Sequence, residues 1–146
     1  MKRRELLIQG TALLALQLVP LRSIGRELTE IARTYPGETI NTGRVQLVAP
    51  ALAENGNSVP LEVRVESPMT PADHVAEIRI FAEKNPVPLV ATFRLSAASG
   101  RAHVTTRIRY GDSQTITAVA RMSDGTLWSG TAKTIVTLAA CVEPLI

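Results

Sequence analysis

Residues 55–66 read Asn55-Gly56-Asn57-Ser58-Val59-Pro60-Leu61-Glu62-Val63-Arg64-Val65-Glu66, and this stretch decides the class of fold. Aliphatic residues occupy positions 59, 61, 63 and 65, and charged residues occupy positions 62, 64 and 66. A period of two predicts a β-strand with one face buried and the other in solvent. Asn55-Gly56 turns the chain into this strand, and the prolines at 68 and 71 end it.

The same period of two recurs along the rest of the chain. Further strands are predicted over residues 76–82, 89–95, 102–110, 116–122 and 131–138. Lys84-Asn85-Pro86, Ser99-Gly100, Gly111-Asp112 and Asp124-Gly125 separate them, and Asp-Gly is a strong hairpin signal. About seven short strands at this spacing predict an all-β, antiparallel sandwich. One short helix is predicted before them, within residues 26–33, where apolar residues fall at helical spacing until Tyr35-Pro36-Gly37.

Composition limits the classes of partner. Of the 146 residues, 45% are hydrophobic and only 3% are aromatic, so the core must be aliphatic. The formal net charge is +3, and Lys2, Arg3 and Arg4 supply much of it. Without the N-terminal segment the chain is nearly neutral, so nothing in its charge supports a nucleic-acid partner, DNA included.

The N-terminus has the features of an export signal. Arg3-Arg4 precedes the uncharged, apolar residues 6–21, which glutamines and a glycine dilute. This pattern predicts a twin-arginine signal peptide over residues 1–24, which directs the rest of the chain to the periplasm. An uncleaved N-terminal anchor stays open as an alternative, because no clear small-residue cleavage site follows.

The chain has one cysteine, Cys141, five positions before the last numbered residue. A lone thiol in an exported protein cannot close an internal disulfide. It must therefore be buried, pair with another molecule or carry a cargo, and its position near the end disfavours burial. We expect residues 139–146 to form a short arm that leaves the last strand.

Several stretches, taken together and in order, resemble the SoxY family. They are Val45-Gln46-Leu47-Val48-Ala49-Pro50, Ala53-Glu54-Asn55-Gly56, Val59-Pro60, Lys84-Asn85-Pro86-Val87-Pro88, Thr106-Arg107-Ile108-Arg109 and Ala118-Val119-Ala120-Arg121-Met122-Ser123-Asp124-Gly125. The resemblance covers residues 26–141 and includes the twin-arginine signal and the terminal cysteine.

The resemblance implies an immunoglobulin-like sandwich over residues 25–138, in a periplasmic protein that is not itself an enzyme and needs no cofactor or metal. It implies a heterodimer with a second β-sandwich subunit, SoxZ, and transient contacts with the enzymes of thiosulfate oxidation. Cys141 would be the site of covalent sulfur attachment, on a carrier arm that includes Ala139, Ala140 and Val142. In that family a haem enzyme attaches thiosulfate oxidatively, and other enzymes then release sulfate and oxidise the remaining sulfur.

The tail departs from the family pattern. The family ends in Gly-Gly-Cys-Gly-Gly, whereas this chain has Ala139-Ala140-Cys141-Val142-Glu143. Alanine and valine are stiffer than glycine, and the carboxylate of Glu143 is expected to disfavour the thiolate. Three explanations stay open: a divergent carrier that serves different enzymes, a paralogue that still binds its partner subunit but has lost sulfur carriage, or a frameshifted or altered terminus.

Two other classes of function would also use the thiol of an exported protein. An exported binding module whose cysteine makes an intermolecular disulfide remains possible on fold alone. A thiol oxidoreductase is disfavoured, because the chain has no second cysteine to resolve a disulfide.

Other polar residues are assigned no chemistry of their own. His74 and His103 lack the accompanying ligands of a metal site. Arg101, Arg107 and Arg109 share an outward strand face with His103, where they would either steer an anion or an acidic partner or simply be solvated. Trp128 is predicted to fill the core or an interface.

Overall fold

A computed structural model describes residues 29–140. It contains one α-helix and nine β-strands: α1 (Glu30–Thr34), β1 (Ile40–Thr42), β2 (Val45–Val48), β3 (Leu52–Asn55), β4 (Val59–Val65), β5 (Val75–Ala82), β6 (Leu89–Arg94), β7 (His103–Ile108), β8 (Gln114–Met122) and β9 (Leu127–Leu138). The predicted signal peptide (1–24) and the arm beyond residue 140 lie outside the described residues. Within residues 29–140, no helix is long and apolar enough to cross a membrane.

The strands form two sheets, which confirms the prediction of an all-β sandwich. The larger sheet has the order β1-β9-β8-β5-β6, with β3 also paired to β9, and the smaller has the order β2-β4-β7. Most pairs are antiparallel, including the hairpin of β8 and β9 around Asp124-Gly125. The short strands β1 and β3 instead run parallel to β9, at its two ends, and these two pairings were not predicted.

The main core lies between the two sheets. All four alternating aliphatic residues of β4 are buried, whereas Pro60 and Arg64 between them are exposed. They pack against buried residues of β5 and β8, among them Ile78, Ile80 and Ile116. The period of two that predicted β4 therefore marks the inward face of the smaller sheet.

A second, smaller cluster covers part of the outer face of the larger sheet. Tyr35 packs there with Phe81, Val119 and Leu127, and its ring meets that of Phe81 edge-on with centroids 6.2 Å apart. Short helix α1 precedes Tyr35, and Thr29 caps it by accepting a hydrogen bond from the Ala32 amide at 3.3 Å. This cluster buries β5 and β8 on both faces, which explains why their burial does not alternate cleanly.

The two sheets are in close contact where β9 passes β2. A Cβ atom on Gly130 would overlap the carbonyl oxygen of Val45, so no larger residue fits without a backbone shift. Two residues earlier, Trp128 is half-buried against the main core, and the guanidinium of Arg44 lies 4.9 Å from the centre of its ring. Trp128 thus fills space beside the core, as predicted.

Candidate functional site

The described structure ends at Ala140, the residue before the predicted sulfur-attachment site. Cys141 and Val142 lie outside the described residues. Ala139 and Ala140, the first two residues of the predicted arm, are both half-buried and follow directly on β9. These two residues form the base of the predicted arm.

Three main-chain hydrogen bonds fix the base of the arm. The amide of Gly56 donates to Leu138 O at 2.7 Å, and the amide of Tyr110 donates to Gly56 O at 2.9 Å. The amide of Ala140 then donates to Tyr110 O at 2.9 Å. We call these four residues the C-terminal clasp. Because the clasp includes Ala140, the described chain is held in place up to the residue next to Cys141.

Only glycine fits at position 56, at the centre of the clasp. A Cβ atom there would lie 2.8 Å from Tyr110 O and 3.1 Å from Leu138 O. Contacts this short between a side chain and backbone atoms cannot be relieved by a rotamer change. The turn at Asn55-Gly56 was predicted, but its contact with the end of β9 was not.

The side chain of Tyr110 anchors the clasp in the core. Tyr110 is fully buried, and its hydroxyl lies 3.2 Å from Oγ1 of Thr134, which is also fully buried. Burial raises the pKa of Tyr110, and the hydrogen bond with Thr134 offsets part of that effect. The phenol therefore stays neutral and serves a structural role beneath the arm.

Three hydrogen bonds of the Asn85 side chain hold the loop that follows Tyr110. Asn85 Oδ1 accepts hydrogen bonds from the Gly111 amide at 2.7 Å and from Gln114 Nε2 at 2.9 Å. Asn85 Nδ2 donates to Arg109 O at 2.8 Å. Asn85 thus ties the β5–β6 connection to both sides of Tyr110. The sequence indicated only a turn at Lys84-Asn85-Pro86, since a single asparagine gives no signal of its long-range partners.

One ion pair lies next to the hydrogen bonds of Asn85. Lys84 Nζ donates to Asp112 Oδ2 at 2.9 Å and to Ser113 O at 2.8 Å. The hydrogen bond from Lys84, supported by one from the Ser113 amide, holds the pKa of Asp112 below its usual value. Both side chains are more than half exposed, so the pair adds little to stability.

The predicted basic face of β7 exists, but its residues divide between two ends of the strand. His103, Arg107, Arg101 and Arg109 are all exposed. Arg107 and Arg109 lie near the clasp, and Arg107 donates to Ser58 Oγ at 2.7 Å and to Ser58 O at 2.9 Å. Arg101 and His103 lie at the other end, where His103 is paired across the sheet with Arg64. Only the first pair is close to the base of the arm.

Neither histidine forms part of a ligand cluster in the described part of the chain. Nδ1 of His74 lies 3.1 Å from Thr70 O, and Nε2 of His103 pairs with the carboxylate of Glu62. Among residues 29–140 no group of three or more histidine, cysteine, aspartate or glutamate side chains could hold a metal ion.

Comparison with known proteins identifies the family. The model of the sulfur oxidation protein SoxY matches residues 31–141, so the matched span ends on Cys141. A solved structure of the sulfur carrier protein SoxY from Chlorobium limicola f thiosulfatophilum superposes with a TM-score of 0.61 at 27% identity, covering 75% of this chain and 94% of that one. No curated protein matches by sequence.

More distant solved structures share only the fold. A superoxide reductase (neelaredoxin) from Ignicoccus hospitalis has a TM-score of 0.59 at 16% identity and covers 66% of this chain and 94% of its own. A putative superoxide reductase from Thermotoga maritima has a TM-score of 0.55 at 22% identity, with coverages of 66% and 93%. Because the family match spans most of the chain and the SoxY structure shares its sandwich, the chain belongs to the SoxY family of sulfur oxidation proteins.

Proposed function

We propose that the protein is a periplasmic sulfur carrier that holds thiosulfate-derived sulfur covalently on Cys141, as a heterodimer with a SoxZ-like subunit. The observation that carries this proposal is the family match, which runs through the sandwich and ends on the only cysteine of the chain. The protein would not catalyse a reaction. It would present one sulfur atom to several enzymes in turn.

The carrier chemistry requires a thiolate. A thiolate and the outer sulfur of thiosulfate would form an S–S bond, and the two electrons released would pass to an oxidising partner enzyme. Addition of water to the resulting adduct would then release sulfate and two protons and leave a persulfide on the cysteine. Sulfur–sulfur bonds form and break reversibly at a thiolate, which an alkoxide of serine cannot reproduce.

The C-terminal clasp gives the predicted arm a fixed base at Ala140. Since the amide of Ala140 is bound to Tyr110 O, the sulfur-bearing residue follows immediately after a fixed point of the sandwich. A partner enzyme would then have to accept the edge of the protein around Gly56 and Tyr110 as well as the tail. This requirement fits a divergent carrier whose tail lacks the glycines of the family pattern.

The direct test is the intact mass of the protein purified from the periplasm of cells grown on reduced sulfur, before and after a reductant. We expect added mass equal to sulfur or thiosulfate that the reductant removes. The Cys141→Ser variant is the control and should carry none. A thiol that stays unmodified under these conditions would contradict sulfur carriage.

The altered tail favours one second candidate, a paralogue that binds the partner subunit but carries no sulfur. Val142 and Glu143 replace glycines of the family pattern, and a nearby carboxylate opposes both the thiolate and an anionic cargo. Co-purification of a SoxZ-like subunit with an unloaded thiol would identify this case. A reductant-sensitive covalent dimer without a SoxZ-like subunit would instead identify an exported binding module.

A further inference from the structure

The outer face of the smaller sheet has a basic cavity at the end of β7 remote from the clasp. The cavity has a volume of about 370 Å³ and is lined by Arg64, Arg101 and His103, with Gly100 at its margin. Since water occupies about 30 Å³ per molecule in the liquid, the cavity has room for a small polyatomic ion and several waters. None of its residues belongs to the C-terminal clasp.

Strand register brings the three basic side chains to one place. Arg64 on β4 and His103 on β7 are direct cross-strand partners, so their side chains project next to each other from the same face. Arg101 precedes His103 by two residues and is exposed on the same side. The backbone near it is fixed by the hydrogen bond from the Val65 amide to Ala102 O at 2.9 Å.

The hydrogen bonds of the cavity leave donors available. Arg64 Nε donates to Glu62 Oε1 at 2.6 Å. The same carboxylate oxygen also contacts Nη2 of Arg64 and Nε2 of His103. Among residues 29–140, Arg101 makes no ion pair or side-chain hydrogen bond, and Nη1 of Arg64 makes none either. Glu62 and Glu66, the outward carboxylates on either side of Arg64, do not line the cavity.

We infer that this cavity is a binding site for a small divalent oxyanion of the sulfate or phosphate type. Guanidinium groups present N–H donors in a planar fork that matches pairs of oxyanion oxygens. Arg101 provides the main charge, and Arg64 adds its remaining donor. Glu62 limits the affinity because it occupies Arg64 and His103. The site does not depend on the proposed sulfur carriage, since it contains no part of residues 139–146.

The test is an NMR titration of backbone amides in the exported protein with sodium sulfate, at constant ionic strength maintained with sodium chloride. We expect saturable shifts at Gly100, Arg101 and His103, with a dissociation constant on the order of 1–10 mM because the groups stay largely solvated. Sodium phosphate in a parallel titration establishes which anion binds more tightly. The Cys141→Ser protein should bind equally, which separates this site from the carrier function.

Paired variants make the assignment falsifiable. Arg101→Ala should weaken binding at least fivefold, whereas Arg109→Ala, which removes the same charge from the far end of the same face, should leave binding unchanged. Glu62→Gln should tighten binding severalfold by releasing Arg64 and His103, and Glu54→Gln, a remote carboxylate, should not. Equal effects of Arg101→Ala and Arg109→Ala, or shifts that sodium chloride alone reproduces, would overturn the assignment.

Discussion

Two tyrosines are buried in this protein, and only one of them has a partner for its hydroxyl. Tyr110 bonds with Thr134, whereas the hydroxyl of Tyr35 is buried without a hydrogen bond within the described structure. Burial raises the pKa of Tyr35, and the charge of Arg79 only partly offsets it. The ring of Tyr35 nevertheless has two cationic neighbours, since the guanidiniums of Arg79 and Arg121 lie 5.7 Å and 5.4 Å from its centre.

The two tyrosine-to-phenylalanine substitutions should therefore differ in effect. Tyr110→Phe should lower the free energy of unfolding by about 1–2 kcal/mol, because Thr134 keeps a buried hydroxyl without a partner. Tyr35→Phe should leave stability unchanged or raise it by up to about 1 kcal/mol, because it removes an unpaired polar atom. Urea unfolding measures both. Tyr110→Phe combined with Thr134→Val should recover part of the loss, and equal destabilisation by the two single variants would contradict this account.

Asp112 gives a pH dependence with a defined sign. Lys84 and the Ser113 amide lower its pKa from the ordinary value of 3.8, so its stabilising contribution is present above that value. The contribution is lost as the pH falls through the lower, folded-state pKa. In Lys84→Met the pKa of Asp112, followed by carboxyl ¹³C NMR, should rise. The pKa of Asp124, which hydrogen bonds from Thr126 lower instead, should not move, and an unchanged Asp112 would show that Lys84 does not control it.

At the residue scale, the sequence predicts the site of sulfur attachment but not its surroundings. Cys141 and its neighbours Ala139, Ala140 and Val142 follow from the count of cysteines and from the family resemblance. The clasp could not be predicted, because it consists of main-chain bonds among Gly56, Tyr110 and the end of β9. Such bonds depend on how distant segments meet, and no residue type signals them.

At the scale of elements, alternation predicted the strands that have one buried face. β4 and β7 belong to the smaller sheet, whose outer face is solvated, and both were predicted nearly to their ends. β1, β2 and β3 have only three or four residues each, too few to show a period. The first residues of β9 were missed because Trp128-Ser129-Gly130 breaks the aliphatic pattern. Gly130 lies where the two sheets are in contact, and a side chain there would overlap Val45 O.

That contact makes Gly130→Ala a test of the sandwich packing. The added methyl would overlap the carbonyl of Val45 on the opposing sheet, so β2 and β9 must separate. Overpacking of this kind typically costs about 1–3 kcal/mol, and we expect a loss at the upper end because backbone atoms are involved. Thr131→Ala, at an exposed position next in the strand, is the matched control. Thermal unfolding compares them, and a Gly130→Ala protein as stable as the control would show that the sheets are not in close contact there.

At the scale of the whole molecule, β9 determines where the arm begins. It pairs with β8 along most of its length, with β1 near its start and with β3 near its end. The clasp then joins Leu138, its last residue, to Gly56 in the turn before β4, and it joins Ala140 to Tyr110, two positions after the end of β7. Ala140 is therefore held next to the end of a strand of the larger sheet by the connections beside two strands of the smaller one.

Export is the property of the whole molecule that the proposed function requires, and the prediction of export rests on Arg3-Arg4. A double change to lysine keeps the charge but removes the guanidinium pair, and lysine does not replace arginine where a receptor reads the planar group. We therefore expect Arg3→Lys/Arg4→Lys to remain in the cytoplasm with residues 1–24 uncleaved, whereas Arg22→Lys, outside the pair, should be exported normally. Cell fractionation followed by intact-mass measurement checks both. Export of the double variant at the wild-type level would refute the twin-arginine address, and a full-length wild-type chain in the membrane fraction would establish the N-terminal anchor instead.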